Sequence, residues 1–407
     1  MNEREKRAIS LKRAQELKDS IKDYSIKKSS IKTGLTNLDM IEENKRRIIK
    51  VFNVSEEEWN DWKWQLSNRI TDVDKLSKIL NLSKEEINQI EMIGKKFRWA
   101  ISPYYASLMD PDDSSCPIRR QAVPSIEEMV ETGEADPMAE EFTSPVEGIT
   151  RRYPDRLIVK VTNQCAMYCR HCQRRRCIGQ KDLGLPMDVL KKCVEYIRNE
   201  EDIRDVLITG GDALLISHKT LEWLLSELYE IPHVEIIRIG TRTPVTMPQR
   251  ITKELCELLS KYPPIYLNTH FNHPMEITRE AKKAADMLCS AGVVLGNQAV
   301  LLRGINDNVH VMKKLNQELL KIRIRPYYIF HPKEVIGTGH FKVKVQKGME
   351  IMENLRGFTS GLAIPTYIIN APKGKGKTPI LPNYILVWEE DKIKLRNWEG
   401  EVFYYPN

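Results

Sequence analysis

The sequence lacks the long hydrophobic runs from which membrane-spanning helices are built. None of its 407 residues falls in an uninterrupted apolar stretch of about eighteen residues, the length at which a span is expected. The first residues, MNEREKRAISLKRAQELKD, carry charges of both signs and contain no apolar segment of the kind that secretion signals have. We therefore expect a cytoplasmic protein with no membrane partner.

A strong excess of charge of one sign is also missing. Lys and Arg number 63 and Asp and Glu number 56, which gives a formal net charge of +7. Much of the basic excess lies before residue 50, where it alternates with acidic residues at helical spacing, as on a solvated helix face. This pattern lacks the concentrated basic patch typical of nucleic-acid-binding proteins, so no nucleic-acid partner is expected.

Cysteine is scarce outside one short stretch of the chain. Of eight cysteines, four lie between residues 165 and 177: Cys165, Cys169, Cys172 and Cys177. A disulfide framework is not expected in a chain of this size without an export signal, so the cluster indicates metal ligands. The first three follow the apolar run RLIVKVT with the spacing C-x3-C-x2-C, and three thiolates in one loop can bind an iron–sulfur cluster. A zinc site with Cys177 as its fourth ligand is the alternative.

Local patterns divide the chain into four regions. Residues 1–110 are polar and predict a helical region, in which Ser55 with Glu58 and Ser83 with Glu86 form capping boxes. Pro, Asp, Glu and Ser dominate the region 111–150, which we interpret as an extended connector.

Residues 151–345 contain six short β-rich runs separated by helical patterns: RLIVKVT, DVLITGG, EIIRIGT, IYLNTHF, VLGNQAVLL and IRPYYIF. Strands that alternate with helices predict an α/β fold with parallel strands that curl toward a full or partial barrel. In such barrels the chemistry lies on the loops that follow the strands, which is where the unusual residues of this sequence occur. Residues 346–407 form a C-terminal extension.

Together these segments resemble the radical S-adenosylmethionine (SAM) superfamily, and more narrowly its lysine 2,3-aminomutase family. The resemblance covers about residues 50 to 400 and rests on WNDWKWQL, RYPDR, CAMYCRHCQRRR, ITGGDAL, IGTRTP, NTHFNHP and RPYY, which occur in the family's order. It implies a partial (βα)6-type barrel of the radical SAM type. It also implies an isomerase that moves an amino group between C2 and C3 of an amino acid.

The resemblance further implies a 4Fe–4S cluster held by Cys165, Cys169 and Cys172, with SAM bound at the iron that has no protein ligand. The segment Thr209, Gly210, Gly211 and Asp212 matches the family's methionine-binding turn, and His270 and Gln298 match positions at or near the cofactor pocket. The family also implies an electron donor such as flavodoxin or ferredoxin and a homo-oligomer.

A second candidate site lies in APKGKGKTPILPNY. Its Gly-Lys-Thr is not a phosphate-binding P-loop, because Ala371 stands where the first glycine is required and Pro379 follows almost at once. In the family, a glycine-rich run ends here in the lysine that binds pyridoxal phosphate, which maps to Lys377. Lys373 and Lys375 interrupt that run, so which lysine reacts is open, although Lys377 alone has the family's spacing.

The resemblance also places the other groups that pyridoxal phosphate and the substrate require. Arg152, Tyr153 and Arg156 match the family's phosphate-contacting positions, and Arg174 matches the arginine that pairs with the substrate α-carboxylate. Guanidinium groups suit both tasks, because their planar N–H donors fit carboxylates and phosphates.

The residues that should recognise the substrate side chain depart from the lysine enzymes. Where those enzymes hold a distal ammonium with two aspartates, this chain has Lys333 and Asn370. An ammonium would meet a like charge there, whereas a distal carboxylate would find two donors. We therefore predict that L-glutamate is converted to β-glutamate (3-aminopentanedioate). Lysine or another amino acid, and a radical SAM reaction without pyridoxal, are the alternatives.

The zinc site that the lysine enzymes build between chains is not expected here. The last cysteine of this chain is Cys289, and Asn308 stands at the family's upstream zinc cysteine.

Overall fold

The computed structural model describes all residues, 1–407. The α-helices are α1 (Glu3–Ser20), α2 (Lys22–Lys27), α3 (Leu38–Phe52), α4 (Glu56–Asn60), α5 (Trp62–Ser67), α6 (Val73–Ser77), α7 (Lys84–Lys96), α8 (Pro103–Ser107), α9 (Pro117–Arg120), α10 (Met187–Asn199), α11 (His218–Tyr229), α12 (Thr243–Thr246), α13 (Lys253–Leu259), α14 (Arg279–Ser290), α15 (Val309–Lys321) and α16 (Val345–Leu355). The strands are β1 (Ile149–Arg151), β2 (Arg156–Lys160), β3 (Asp205–Thr209), β4 (Ile236–Gly240), β5 (Ile265–Thr269), β6 (Val294–Val300), β7 (Arg325–Phe330), β8 (Thr366–Asn370), β9 (Lys377–Pro379), β10 (Ile385–Trp388), β11 (Lys392–Arg396) and β12 (Val402–Pro406).

A single curled sheet of nine strands forms the centre of the fold. Strands β2 to β8 lie side by side in chain order and are parallel, while β1 and β9 pair antiparallel at the two edges. The sheet edges do not pair with each other, so the barrel is partial, as the resemblance to the family implied. All six strands read from the sequence between 155 and 330 are confirmed, and β8 adds a seventh parallel strand from the C-terminal region.

Side chains along each strand point alternately to the two faces of the sheet, and this alternation decides which residues lie inside the curl. In β2 the residues Leu157 and Val159 are buried against the surrounding helices, while Ile158 and Lys160 line the interior cavity. The same period of two sends Thr209 of β3 into the cavity. Every second residue of these strands therefore lies inside the curl, and Lys160 and Thr209 are polar residues at such positions.

The N-terminal helices pack onto the barrel and share its hydrophobic core. The two predicted capping boxes are confirmed: Ser55 and Ser83 each accept a backbone hydrogen bond from the glutamate three residues on, and each glutamate accepts one in return. One continuous buried core contains Ile48 of α3 as well as Ile208 of β3. Because apolar contacts run without a break between helices and barrel, the helical region stabilises the barrel directly. The four predicted region boundaries themselves stay a prediction.

The cluster loop is one of the places where the helical region contacts the barrel. Trp62 at the start of α5 packs beside Ala166 of that loop, and its ring lies 4.6 Å from the guanidinium carbon of Arg250. Arg69 donates a hydrogen bond of 2.6 Å to the carbonyl of Cys165. Two residues near α5 thus hold the first half of the cysteine loop in place.

The structure contains no helix that is both long and apolar enough to span a bilayer.

Candidate active site

The inside of the curl is a cavity of about 880 Å³ at the carboxyl ends of the parallel strands. It brings together all but two of the residues that the sequence singled out: Arg152, Cys165, Cys169, Cys172, Arg174, Thr209, Gly210, Gly211, Asp212, His270, Gln298, Lys333, Asn370 and Lys377. The other two, Tyr153 and Arg156, lie beside it against Lys377. Loops that follow successive parallel strands meet at one end of a barrel, which is why residues far apart in sequence converge.

The three cysteines of the C-x3-C-x2-C loop are free, partly buried thiols on the wall of this cavity. Burial, followed by Asp212 and the other two thiols, raises the pKa of Cys165 well above its usual range. Burial and Cys169 raise the pKa of Cys172 to about 11. The raised pKa values mean that the protein does little to stabilise the negative charge of these two thiolates. The iron ions of a cluster would supply the positive charge that stabilises them. The donor set therefore fits an iron–sulfur cluster.

The zinc alternative fits less well. Nowhere in the structure do three or more His, Cys, Asp or Glu side chains converge tightly enough to hold one metal ion. Cys177 is exposed, on a separate short turn of residues 175–177. A single zinc ion needs four ligands about one point, whereas a four-iron cube spreads its three thiolates over separate irons.

Arg242 is a neighbour of the cluster loop that sequence reasoning did not single out. It follows β4, and its Nη1 group lies 2.8 Å from the sulfur of Cys169. Its Nη2 group donates to Glu276 at 2.7 Å and to Gln121 at 2.6 Å, and all three side chains are buried. The arginine thus places a fixed positive charge beside one of the thiolates. The motif IGTRTP contains Arg242 and is the sequence feature that could have identified it.

The Gly210–Gly211–Asp212 turn packs closely against the cluster loop. A Cβ atom on Gly210 would lie 2.3 Å from the carbonyl oxygen of Thr162, and one on Gly211 would lie 2.4 Å from that of Gln164. The backbone N–H of Asp212 donates to Gln164 at 2.7 Å. The need for glycine here arises from close packing of two loops, which the sequence did not reveal. A role of this turn in binding methionine stays a prediction.

The Asp212 carboxylate is already occupied by groups of the protein. It accepts hydrogen bonds from the backbone N–H of Arg242 at 2.9 Å and from the hydroxyl of Thr241. Burial raises its pKa, and these donors offset part of that effect. The carboxylate therefore ties the loop after β3 to the loop after β4.

His270 and Gln298 form one unit on the wall of the cavity. The Nδ1 group of His270 lies 2.9 Å from the backbone carbonyl of Gln298, so that nitrogen carries the proton. Burial and then Arg242 lower the pKa of His270 to about 4. The ring is consequently neutral and offers its Nε2 lone pair as an acceptor.

Lys377 lies at the start of β9, directly opposite Asn370 of β8. Lys377 is exposed and lines the cavity. Its ammonium nitrogen lies 5.6 Å from the ring centre of Tyr153 and 5.8 Å from that of Tyr328. Burial of the amine, followed by Arg238, Arg156 and Arg152, lowers the pKa of Lys377 to about 8. About a tenth of this amine is therefore neutral at pH 7, far more than for a lysine with an ordinary pKa.

The predicted phosphate-contacting residues lie around the same lysine. The hydroxyl of Tyr153 accepts a hydrogen bond of 2.7 Å from the backbone N–H of Lys377, and the guanidinium of Arg156 stacks 4.0 Å from the Tyr153 ring. Arg152 lines the cavity, and its buried Nε and Nη2 groups have no hydrogen-bond acceptor in the chain, although Nη2 lies 3.5 Å from a carboxylate oxygen of Glu140. Buried donors without an acceptor are costly unless a ligand accepts from them. This corner of the cavity is suited to an anion.

Lys333 also faces into the cavity rather than into bulk solvent. It follows β7, and its ammonium donates to Gln173 and lies 5.7 Å from the Phe330 ring centre. Burial, followed by Arg174 and Arg152, lowers the pKa of Lys333 to about 7.

Asn370 ends the neighbouring strand β8 and lines the same cavity. Its buried Nδ2 group has no acceptor in the chain. A side-chain amide without a partner in a cationic cavity is available to a carboxylate ligand.

Arg174 has a partner that the sequence did not reveal. Its Nε and Nη2 groups donate to the carboxylate of Glu140 at 2.8 to 3.1 Å. Glu140 lies in the region read as an extended connector, next to the short turn of residues 141–143. Its side chain is almost completely buried. No atom of the chain accepts from Arg174 Nη1, and the proposed contact with a substrate carboxylate stays a prediction.

Positive charge dominates the cavity as a whole. Its lining includes seven basic side chains, Arg152, Lys160, Arg174, Arg238, Arg242, Lys333 and Lys377, but only two carboxylates, Glu147 and Asp212. Clefts with one sign of charge concentrate ligands of the other sign. The cavity is therefore complementary to ligands that carry several negative charges.

Comparison with known proteins agrees with this site. Residues 159–315 match the family model of the radical SAM superfamily, and residues 352–407 match the model named lysine-2,3-aminomutase. A glutamate 2,3-aminomutase from Clostridioides difficile is 59% identical over 99% of this chain and 95% of that protein. The chain belongs to the lysine 2,3-aminomutase family of the radical SAM superfamily.

Other members of this family are similar over most of their length. The L-lysine 2,3-aminomutases of Clostridium subterminale and Bacillus subtilis are 53% and 52% identical over 87% of this chain, and the matches cover 85% and 76% of those proteins. A solved structure described as native anSMEcpe with bound AdoMet and Cp18Cys peptide aligns with 51% of this chain and 60% of its own, with a TM-score of 0.41 and 13% identity. This structural similarity is too weak to support a conclusion about the chain.

Membership of this aminomutase family makes the chain an isomerase, and membership of the radical SAM superfamily implies a 4Fe–4S cluster and SAM. Cys165, Cys169 and Cys172 are the residues that would hold the cluster, since they are the three partly buried thiols of one loop on the cavity wall, whereas Cys177 is exposed.

Replacing any one of these three cysteines by alanine is expected to lower the iron bound after anaerobic reconstitution from about four per chain to well below half of that value. A cube held by two thiolates loses a third of its protein ligands. Iron analysis and the visible absorbance of the cluster measure the effect. Cys177→Ala is the matched control, because Cys177 is a nearby exposed thiol that should keep full iron content. Equal iron loss in the control would instead identify Cys177 as a ligand.

Proposed function

We propose that this chain is a radical SAM, pyridoxal phosphate-dependent aminomutase that interconverts L-glutamate and β-glutamate. The observation that carries the proposal is the pair Lys333 and Asn370, which present an ammonium and an unpaired amide donor to a strongly basic cavity. The C. difficile relative, which is named glutamate 2,3-aminomutase, supports it with a higher identity than the lysine enzymes named above.

Pyridoxal phosphate fits the corner of the cavity around Lys377. The unpaired buried donors of Arg152 suit its phosphate, and Tyr153 with Arg156 supports the segment beside the lysine. The pKa of about 8 keeps part of the Lys377 amine neutral, as an amine must be to react with an aldehyde. Pyridoxal phosphate would supply the aldehyde that holds the migrating nitrogen, and SAM at the reduced cluster would supply the organic radical.

The residues of the chain have separate tasks in this proposal. Arg174 would bind the α-carboxylate through its Nη1 group, which has no protein acceptor. Lys333 and Asn370 would bind the distal carboxylate, and two fixed ends orient the carbon chain between them. Enclosure by the barrel keeps water from the reacting carbons, and water exclusion prevents side reactions of reactive intermediates.

Discrimination against lysine follows from charge. The ε-ammonium of a bound lysine would lie next to the Lys333 ammonium with no carboxylate to pair with, since the acidic residues of the lining are Glu147 and Asp212. An unpaired charge in an enclosed site costs several kcal/mol, which amounts to a discrimination of about a thousandfold. Glutamate instead brings a negative charge that the cavity lacks.

The direct test is an assay of the anaerobically reconstituted protein with SAM, pyridoxal phosphate and dithionite. L-glutamate, L-lysine and L-arginine are supplied separately, and β-amino acid products are followed by NMR. We expect β-glutamate alone. β-Lysine from L-lysine would keep the reaction type and overturn the assignment of the substrate pocket.

The pKa of Lys333 predicts a pH dependence of glutamate use. Below about pH 7 the amine is charged and can pair with the distal carboxylate, and this pairing is lost as the pH rises through that value. In the enzyme saturated with pyridoxal phosphate, kcat/KM for L-glutamate should therefore fall above about pH 7, because kcat/KM reports the groups of the free enzyme. Lys333→Arg keeps its charge over this range and should remove the falling limb. A limb that persists unchanged in this variant would show that another group titrates.

We also propose that an electron donor such as flavodoxin or ferredoxin reduces the cluster in the cytoplasm and that the chain forms a homo-oligomer. The small antiparallel sheet of β10, β11 and β12 supports the oligomer, because it exposes several large apolar side chains, including Trp388 and Tyr405. A monomeric soluble protein rarely exposes contiguous apolar surface of this kind.

A further inference from the structure

Glu140 is a buried carboxylate beside the cavity that no part of the proposed reaction uses, and it contacts both Arg152 and Arg174. One carboxylate oxygen accepts from Arg174 Nη2 at 2.8 Å and lies 3.5 Å from Arg152 Nη2. Both oxygens accept from Arg174 Nε at 3.1 Å. Arg152 and Arg174 come from the amino side of β2 and from the cluster loop, so only this carboxylate holds them together.

The contact uses one edge of the Arg174 guanidinium and leaves the other free. Nε and Nη2 are bound to Glu140, while Nη1 has no acceptor in the chain and the residue lines the cavity. A guanidinium held along one edge is fixed in plane and orientation, which prepares the other edge for a carboxylate. Arg152 likewise has buried donors without an acceptor.

Glu140 is built to remain charged and in place. Its side chain is 4% exposed, and its backbone N–H donates to the Asp136 carboxylate at 2.6 Å. Burial alone would raise its pKa, but Arg174, Lys160 and Arg152 outweigh this and lower the pKa to about 2. The carboxylate is thus ionised near neutral pH.

We propose that Glu140 is the positioning residue that aligns Arg174 for the substrate α-carboxylate and Arg152 for the cofactor phosphate. It touches neither ligand and acts through the two arginines. The inference rests on the proposed function, since that function supplies both ligands. One carboxylate would then set the distance between the phosphate site and the α-carboxylate site, and so place the substrate amine relative to Lys377.

The test compares Glu140→Gln with Glu140→Asp and with the matched control Glu128→Gln. Glu128 is another buried carboxylate paired with two arginines, Arg170 and Arg175, but it contacts neither Arg152 nor Arg174. Binding of pyridoxal phosphate to the cluster-loaded protein is titrated by absorbance, and KM and kcat for L-glutamate are measured separately.

For Glu140→Gln we expect a rise in KM of at least about tenfold, a fall in kcat of less than about threefold, and pyridoxal phosphate binding weakened about fivefold. Glu140→Asp keeps the charge and should recover most of both losses. Glu128→Gln should lower stability but keep pyridoxal phosphate affinity within about twofold of the wild type.

Two results separate failure of this inference from failure of the proposed function. Wild-type protein that neither binds pyridoxal phosphate nor converts glutamate contradicts the function. Wild-type protein that does both, with Glu140→Gln unchanged in KM and cofactor affinity, contradicts the role of Glu140. Equal losses in Glu140→Gln and Glu128→Gln, with no recovery in Glu140→Asp, would reduce Glu140 to a structural residue.

Discussion

Replacing Lys333 and Asn370 together by aspartate is expected to lower kcat/KM for L-glutamate by about a thousandfold, which corresponds to ~4 kcal/mol. The change removes one positive charge and adds two negative charges where the distal carboxylate of the substrate would lie. Both residues line the same cavity, and Asn370 Nδ2 has no partner in the chain, so the double change removes two donors that are available to the distal carboxylate. Product formation by NMR measures the loss.

Controls for the double variant separate charge from general damage. Iron content and pyridoxal phosphate binding should match the wild type within about twofold, because neither residue belongs to the cluster loop or to the proposed phosphate site. Lys333→Met, which removes the charge without reversing it, should lie between wild type and the double variant. Unchanged glutamate turnover in the double variant would contradict the assignment of the substrate pocket.

Replacing Lys377 by alanine is expected to lower kcat by a factor on the order of ten thousand, because the amine that exchanges with substrate is lost. Free pyridoxal phosphate should still bind weakly through Arg152. The absorbance of a protein-bound imine should vanish, and borohydride reduction followed by peptide mass analysis should find no labelled lysine in the variant.

The two other lysines of the same loop provide matched controls. Lys373 and Lys375 are exposed and do not line the cavity, whereas Lys377 does. Lys373→Ala and Lys375→Ala should therefore keep kcat within about twofold. A pyridoxyl label found on Lys375 of the wild-type protein would instead move the reactive position by two residues.

The strands of the barrel and the cysteine loop could be predicted from local pattern, and the resemblance to the family supplied most other residues of the site. Apolar runs such as DVLITGG and EIIRIGT are short enough to be strands and are separated by amphipathic helices, so their pairing in chain order followed. The cysteine spacing and the lysine at 377 are contained in single short segments. These features depend on residues that lie close together in the sequence, so they can be recognised without the structure.

The parts that escaped prediction depend on contacts between distant segments. Glu140 lies 34 residues before Arg174, in a stretch rich in Pro and acidic residues that resembles any surface connector. The packing of Gly210 against Thr162 likewise becomes visible only when two loops are placed side by side. Strand β8 was missed because TYIINAP stands among turn-forming residues of the C-terminal region, although it extends the sheet beside β7.

The most direct test of the account is turnover of L-glutamate labelled with ¹⁵N at its amino group, in the presence of excess unlabelled ammonium. Migration within one molecule predicts 3-aminopentanedioate that retains the ¹⁵N label at C3. It also predicts that no product forms without SAM or with Cys169→Ala. Absence of labelled 3-aminopentanedioate from fully reconstituted protein, or exchange of its nitrogen with the unlabelled ammonium, would contradict the account.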